Sequence, residues 1–367
     1  MMDDKIFKIL DDCEKNNLYD KAIDIINKEL EVEIDDYNYE NELKRRKAEF
    51  LYERRIFQEI GYGEAFLPVV NTENKRSILI KVKIIKKEVS SKEKYLQSWE
   101  IVKKLVFDYL HDMVAKEELD FYLIGLNLQN IYFKFSVNNN KEIEGKSFEL
   151  ALAIALLSYI INLKPNCKCA LTGKIATNSN NKFMLEAVDY IEEKIQILQD
   201  YQFIEKLVVV DTNIEDSKII NVQKFDEVIK EIFDYEKVKN KIRGLHDSQC
   251  VNTIKYTIDD IRLKKCNNKK IKAKRITIEH SMIDENQVKY VNEFYSKLVE
   301  KISKLKSPVL IDKAVAGFEN SFIVLHALNK PIEFLAINNT NFSKAIVVYR
   351  QLTNNDISVG DLLEIDN

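Results

Sequence analysis

Apolar positions recur at helical spacing from the start of the chain. Ile6 and Leu10, then Ala22, Ile23, Ile25, Ile26 and Leu30, fall on repeating faces, with Asn16-Asn17 as a break between two helices. A third helix is expected from Tyr39 to Ile60. Its run E-L-K-R-R-K-A-E-F-L-Y-E-R-R carries charges at i,i+4 spacing and reads as a solvated face. Residues 1–60 are therefore read as an amphipathic helical cap docked on the next domain. One helical hairpin does not make an array, because solenoid repeats need about three units to be stable.

From Gly61 the period shortens. G-Y-G-E-A-F-L-P-V-V and S-I-L-I-K-V-K-I-I-K-K-E read as two strands across the turn-rich N-T-E-N-K-R. Leu96, Trp99, Val102, Leu105, Val106, Tyr109, Leu110 and Met113 mark a long amphipathic helix. The alternating I-Y-F-K-F-S-V at 131–137 predicts another strand, and a polar loop then delivers the chain to Ser147. The apolar run Leu150 to Ile161 is too short to span a bilayer and carries Ser158 and Tyr159, so it reads as a buried helix. After it come a strand C-A-L-T-G-K-I at 169–175, a helix Y-I-E-E-K-I-Q-I-L bearing Lys194 and a buried strand K-L-V-V-V-D. I-I-N-V and F-D-E-V-I-K-E-I-F then close with a strand and a helix. Alternating strands and helices over 61–235 predict an α/β domain.

Residues 236–275 become polar and then basic, with R-L-K-K-C-N-N-K-K-I-K-A-K-R at 262–275. Without interleaved aromatics this run reads as a flexible basic linker in preference to a nucleic-acid contact. Residues 276–367 read as a separate α+β domain of unknown role. It would contain strands I-T-I-E-H and S-P-V-L-I-D, a helix around 288–302, a strand P-I-E-F-L-A-I, a helix F-S-K-A-I-V-V-Y-R-Q-L and a short tail I-S-V-G-D-L-L-E-I.

Composition narrows the function classes. A chain of 367 residues has room for about two or three domains. Hydrophobic residues at 46% and charged residues at 31% fit an ordinary soluble protein, and a net charge of −3 gives no general case for nucleic acid. The start M-M-D-D-K-I-F-K has no basic segment followed by an apolar core, so no signal peptide is expected. The five cysteines show no CxxC and no paired spacing, which points to a reduced, cytoplasmic setting. Cys167-x-Cys169 lacks a second ligand pair and the four histidines are scattered, so neither metal nor cofactor is expected. Nothing points to a membrane.

Candidate chemistry converges on one stretch. Ser147 stands just ahead of an apolar helix, Thr172-Gly173 ends a strand and Lys194 sits on the following helix, a set of types that fits a Ser–Lys dyad. A serine hydroxyl is a poor nucleophile until a base shares its proton. Lysine serves as that base only if neutral near pH 7, which requires burial to depress its usual pKa of about 10.4. Ile191, Ile195, Ile197 and Leu198 supply an apolar setting. A serine ahead of a helix also brings main-chain N–H groups to where an oxyanion would form. Two decoys fall away. Gly145-Lys146-Ser147 is the tail of a P-loop whose first glycine would be at Asn140, and His246-Asp247-Ser248 has triad residue types without triad spacing and reads as a turn.

Residues 61–233 resemble the proteolytic domain of Lon-type serine peptidases. E-G-K-S at 144–147 stands for the family's D-G-P-S, Thr172-Gly173-Lys174 for its T-G-E, and V-D-Y-I-E-E-K for its G-G-[LV]-K-E-K. The resemblance implies that Ser147 attacks a peptide carbonyl, Lys194 takes its proton and Thr172 holds the lysine amine. It implies a protein or peptide substrate and, with no ATPase recognised in this sequence, ATP-independent cleavage. The C-terminal domain would then regulate or target the activity through a protein or ligand. The sequence departs from the family at Phe148-Glu149, where the family has Ala-Gly. Glu149 is similar to the Lon-like domains of RadA-type and ComM-type ATPases, which have no known peptidase activity. The alternative is thus an inactive Lon-like scaffold that binds nucleic acid or a protein partner.

Overall fold

The computed structural model describes residues 3–32, 34, 36–71, 75–86, 95–136, 143–177, 183–265, 270–280, 287, 289–291, 293–294, 297–298, 309–315 and 363–365. Helices α1 (Asp3–Lys15) and α2 (Tyr19–Leu30) break where the asparagines predict. Asn17 takes a left-handed φ of 57°, and the Leu18 N–H closes the turn on the Cys13 carbonyl at 2.8 Å. α3 (Tyr37–Gln58) begins at Asp36, whose carboxylate accepts from the N–H groups of Asn38 at 2.9 Å and Tyr39 at 3.2 Å. Its charged run is a solvated face, with Arg45 paired to Glu42 and Glu49 and Lys44 to Glu40.

The remaining elements follow in order: β1 (Glu64–Asn71), β2 (Arg76–Lys86), α4 (Leu96–Lys116), β3 (Phe121–Leu126), β4 (Ile131–Phe135) and α5 (Glu149–Ile161). Next come β5 (Cys169–Leu171), β6 (Lys174–Ile175), β7 (Leu185–Glu186), α6 (Ile191–Ile195), α7 (Ile197–Asp200), β8 (Lys206–Val210), β9 (Ile219–Val222), α8 (Phe225–Ile232) and α9 (Tyr235–Arg243). A single 3-10 turn (Leu245–Asp247) precedes β10 (Val251–Lys265), β11 (Lys270–His280), β12 (Val309–Val315) and β13 (Leu363–Ile365). The fold is α/β. Its central six-stranded sheet is mixed, in the order β4-β2-β1-β5-β8-β9, with β1, β5, β8 and β9 mutually parallel and β2 antiparallel to both neighbours.

Register sorts the side chains of that sheet. Phe66, Leu79, Ala170 and Leu207 share one face and join a core with Leu10, Leu18, Ile26, Leu43, Phe50 and Phe57 of the N-terminal helices. Ala65, Leu67, Ile80, Val82, Phe133 and Phe135 face the other way, the side on which α5 packs. The N-terminal helices thus supply about half of a core that they share with the sheet.

Domain boundaries differ from the expectation. The chain divides into two compact units, Met1–Tyr109 with Leu128–Ile242, and Leu110–Asn127 with Arg243–Asn367. The cap and the 61–235 domain are one unit, with the exception of the stretch around β3, which pairs with β10 in the other. The 236–275 linker is a correction. Those residues form α9, the 3-10 turn and most of a long antiparallel hairpin, with Ile254 opposite His280 and Lys264 opposite Lys270. Ile271 and Ala273 alternate with lysines at strand period, a pattern that charge hides from any reading by composition. β12 lies parallel to β11, matching the strand expected near S-P-V-L-I-D, and β13 falls in the expected tail. The expected strand P-I-E-F-L-A-I and helix F-S-K-A-I-V-V-Y-R-Q-L lie outside the described residues. Among the described residues no helix is long and apolar enough to cross a membrane.

Tyr201, 2% exposed, ties the helical layer to the sheet. Its hydroxyl donates to the Asn16 carbonyl at 2.6 Å and accepts from the Leu79 N–H at 3.0 Å. Tyr201→Phe strands both main-chain groups, at a cost of roughly 1–3 kcal/mol. Urea unfolding should show a lower midpoint at unchanged slope; a midpoint equal to wild type would refute the tie.

Candidate active site

Ser147 lies in the turn that opens α5, and three neighbours hold that turn. Gly145 adopts φ +77° with open space where a Cβ would point, so backbone conformation alone asks for glycine there. Phe148 is buried and meets Tyr95 and Phe135 edge-on at 5.6 and 5.3 Å between ring centroids. Tyr95 in turn exchanges hydrogen bonds with the main chain of Ile143, at 3.0 Å to its carbonyl and 3.2 Å from its N–H. Phe148 is thus an anchor in an aromatic cluster.

β5 runs into the site, and Thr172 follows its last residue directly. The Thr172 N–H donates to the Val208 carbonyl at 3.0 Å, keeping the residue on the sheet for one more position. Gly173 then passes under α5. A Cβ on it would lie 2.8 Å from Val210 Cγ2 and 3.0 Å from Leu150 Cδ2, so the glycine allows the helix to close on the strand. The Gly173 N–H donates to the Ser147 carbonyl at 3.2 Å, and the Leu150 N–H donates to the Gly173 carbonyl at 3.2 Å. The serine turn and the Thr-Gly segment are stitched together through the main chain.

Lys194 reaches the same place from α6. The expected single helix over 190–198 is two short pieces, α6 and α7, entered through Tyr190 at a left-handed φ of 60°. Lys194 is 3% exposed and Thr172 fully buried; the amine donates to Thr172 Oγ1 at 3.1 Å. Thr172 Oγ1 makes a 3.5 Å contact with the Ser147 carbonyl. Burial pushes the lysine down from its ordinary 10.5 to about 8, while Asp189 and Glu193 oppose the shift. An amine in this setting is partly uncharged near neutral pH and able to accept a proton.

The structure therefore gathers Thr172 and Lys194 into one hydrogen bond and sets Ser147 beside them. The link from the amine runs through the threonine hydroxyl to the serine main chain, not to the half-buried Ser147 hydroxyl. His246 and Asp247 belong to the 3-10 turn, as the sequence implies. Cys13, Cys167 and Cys169 are free thiols, and no cluster of three metal-ligating side chains occurs among the described residues.

One residue beside the serine has a place that sequence reasoning does not give it. Glu149 is fully buried, and its carboxylate accepts from Ser98 Oγ at 2.8 Å and from the Ile175 N–H at 3.0 Å. An acidic residue at the mouth of an otherwise apolar run is the available signal.

The depressed lysine has a thermodynamic signature. Between about pH 8 and 10.5 the unfolded chain carries a proton that the native amine lacks, so stability rises with pH across that window. Below pH 8 the full penalty is present, roughly 3 kcal/mol at 1.36 kcal/mol per pH unit. Lys194→Met should therefore unfold at higher denaturant than wild type at pH 7, with the gap closing toward pH 10.5. Equal stability of the two proteins at both pH values would show that the lysine carries no burial penalty.

Compared with known proteins, the chain matches no protein-family model and no curated protein.

Proposed function

We propose that the chain is an ATP-independent serine endopeptidase of Lon-like design, acting in the cytoplasm on flexible protein segments. One observation carries this reading: a buried lysine of lowered pKa is hydrogen-bonded to Thr172, whose hydroxyl and following N–H both meet the Ser147 carbonyl.

The chemistry builds on those positions. Ser147 Oγ attacks the peptide carbonyl carbon while its proton passes to the neutral Lys194 amine. The tetrahedral adduct collapses as the lysinium gives that proton to the departing amine, leaving an ester on Ser147. Water then gives a proton to the same lysine as it adds to the ester carbon, and the lysinium returns that proton to Ser147 Oγ as the bond from Oγ to the acyl carbon breaks and the acid leaves. Thr172 orients the amine in both halves. The start of α5 supplies partial positive charge toward the developing oxyanion.

The C-terminal unit is proposed to target or restrain this activity through a bound protein or ligand. A second reading has its own support. Because the amine contacts Thr172 and the link to Ser147 is through the main chain, the same arrangement is compatible with a silent Lon-like scaffold that binds nucleic acid or a protein partner.

Cleavage of labelled casein separates the two. Wild type should cut it, Ser147→Ala should not, and Lys194→Met should lose roughly 10²–10⁴-fold in rate. The wild-type rate should climb with pH through a midpoint of about 8, where Lys194 sheds its proton. Cleavage that persists in Ser147→Ala removes the dyad; no cleavage together with steeply salt-dependent nucleic-acid binding establishes the scaffold.

A further inference from the structure

The one fully buried carboxylate among the polar residues of the described core is two positions from the candidate nucleophile, and the proposed reaction gives it no task. Its surroundings suggest one. Glu149 lies in the first turn of α5, Ser98 in the first turn of α4, and Ile175 at the end of β6. One carboxylate oxygen accepts from the Ser98 hydroxyl and the other from the Ile175 N–H. The side chain thus spans the two segments whose separation sets the site: the turn with Ser147, and the Thr172–Ile175 strand end that carries the partner of Lys194.

Energetics make a purely space-filling role a poor account. Burying a carboxyl group on hydrogen bonds alone is costly, and a well-packed apolar residue of like size would ordinarily be as stable or more so. What an apolar residue lacks is directionality. Two acceptor bonds, one to each segment, fix the offset of helix against strand in a way that packing alone does not. Phe148 fixes the same turn from the aromatic side, but its ring offers no such bond to the strand end.

We propose that Glu149 is a positioning residue that locks the Ser147 turn onto the Thr172–Ile175 segment and so keeps the lysine–threonine–serine contacts sealed from water. The proposal deepens the peptidase reading, and its consequence for Lys194 is measurable without catalysis. Glutamine keeps both bonds, since its oxygen accepts from either donor while its amide can donate to the Ser98 hydroxyl. Leucine keeps volume and breaks both.

The experiment compares wild type, Glu149→Gln, Glu149→Leu and Ser98→Ala by two readouts: casein cleavage, and pH titration of the Lys194 side chain by carbon-13 NMR. Near that amine the charged groups are Asp189 and Glu193, present in every variant. In Glu149→Leu, kcat should fall by roughly 10- to 100-fold at little change in KM, and the lysine midpoint should rise from about 8 toward 10.5 as water enters. Glu149→Gln should restore both readouts to near wild type, and Ser98→Ala should show a smaller loss in the same direction. If Glu149→Leu does not fold, the Gln and Ser98→Ala pair carries the test. A wild-type lysine midpoint in a folded Glu149→Leu or in Ser98→Ala overturns the proposal. If wild type cuts nothing yet the midpoint moves as described, the peptidase reading fails and the lock stands.

Discussion

A lysine amine held out of water against a hydroxyl, with no carboxylate bonded to it among the described residues, is the constraint around which the first unit is arranged. Burial disfavours the charged form of such a group, and by excluding solvent the elements near it draw the lysine down to about 8. α6 brings the lysine in and the residue after β5 is Thr172, and both side chains are buried where they meet. The amine accepts its own burial because the threonine hydroxyl satisfies one of its donors and relays the contact onward to the serine turn.

That relay depends on two close approaches of main chain. Gly173 lets α5 descend until its first turn exchanges hydrogen bonds with the strand end, and Gly145 turns the incoming loop through a left-handed conformation. A side chain at Gly173 would push Leu150 and Val210 apart, and the serine turn would rise with them. The aromatic cluster around Phe148 and the carboxylate of Glu149 grip the same turn from opposite sides. Four unlike interactions therefore fix one short loop, each too local to do so alone.

Much of the fold is legible as periodicity. The break at Asn16-Asn17, the first two strands, the long helix beginning at Leu96 and the apolar helix after Ser147 all follow from spacing of hydrophobic residues and local turn chemistry. The site is legible in part: Ser147 ahead of an apolar helix, Thr172 at a strand end and Lys194 on a following helix stand out by residue type, and Lys194 has isoleucines near it in sequence. What spacing does not carry is long-range pairing. The 236–275 run looks like a linker because lysines alternate with few apolar residues, and only the ladder between β10 and β11 shows it as a sheet. As sequence, Glu149 is one acidic residue ahead of an apolar run, whereas its partner is Ser98, 51 positions away in the chain. The split of the 190–198 helix at Gln196 likewise has no strong breaker to announce it.

The common core beneath the sheet has an implication for control. Phe66, Leu79 and Leu207 are covered by side chains that arrive from the first sixty residues, and Tyr201 is bonded to Asn16. The same contacts make residues 1–60 part of the first unit's own fold: removing them would bare one face of the sheet, while α5 would still cover the other. Control that works by removing that segment would therefore unseat the core as well.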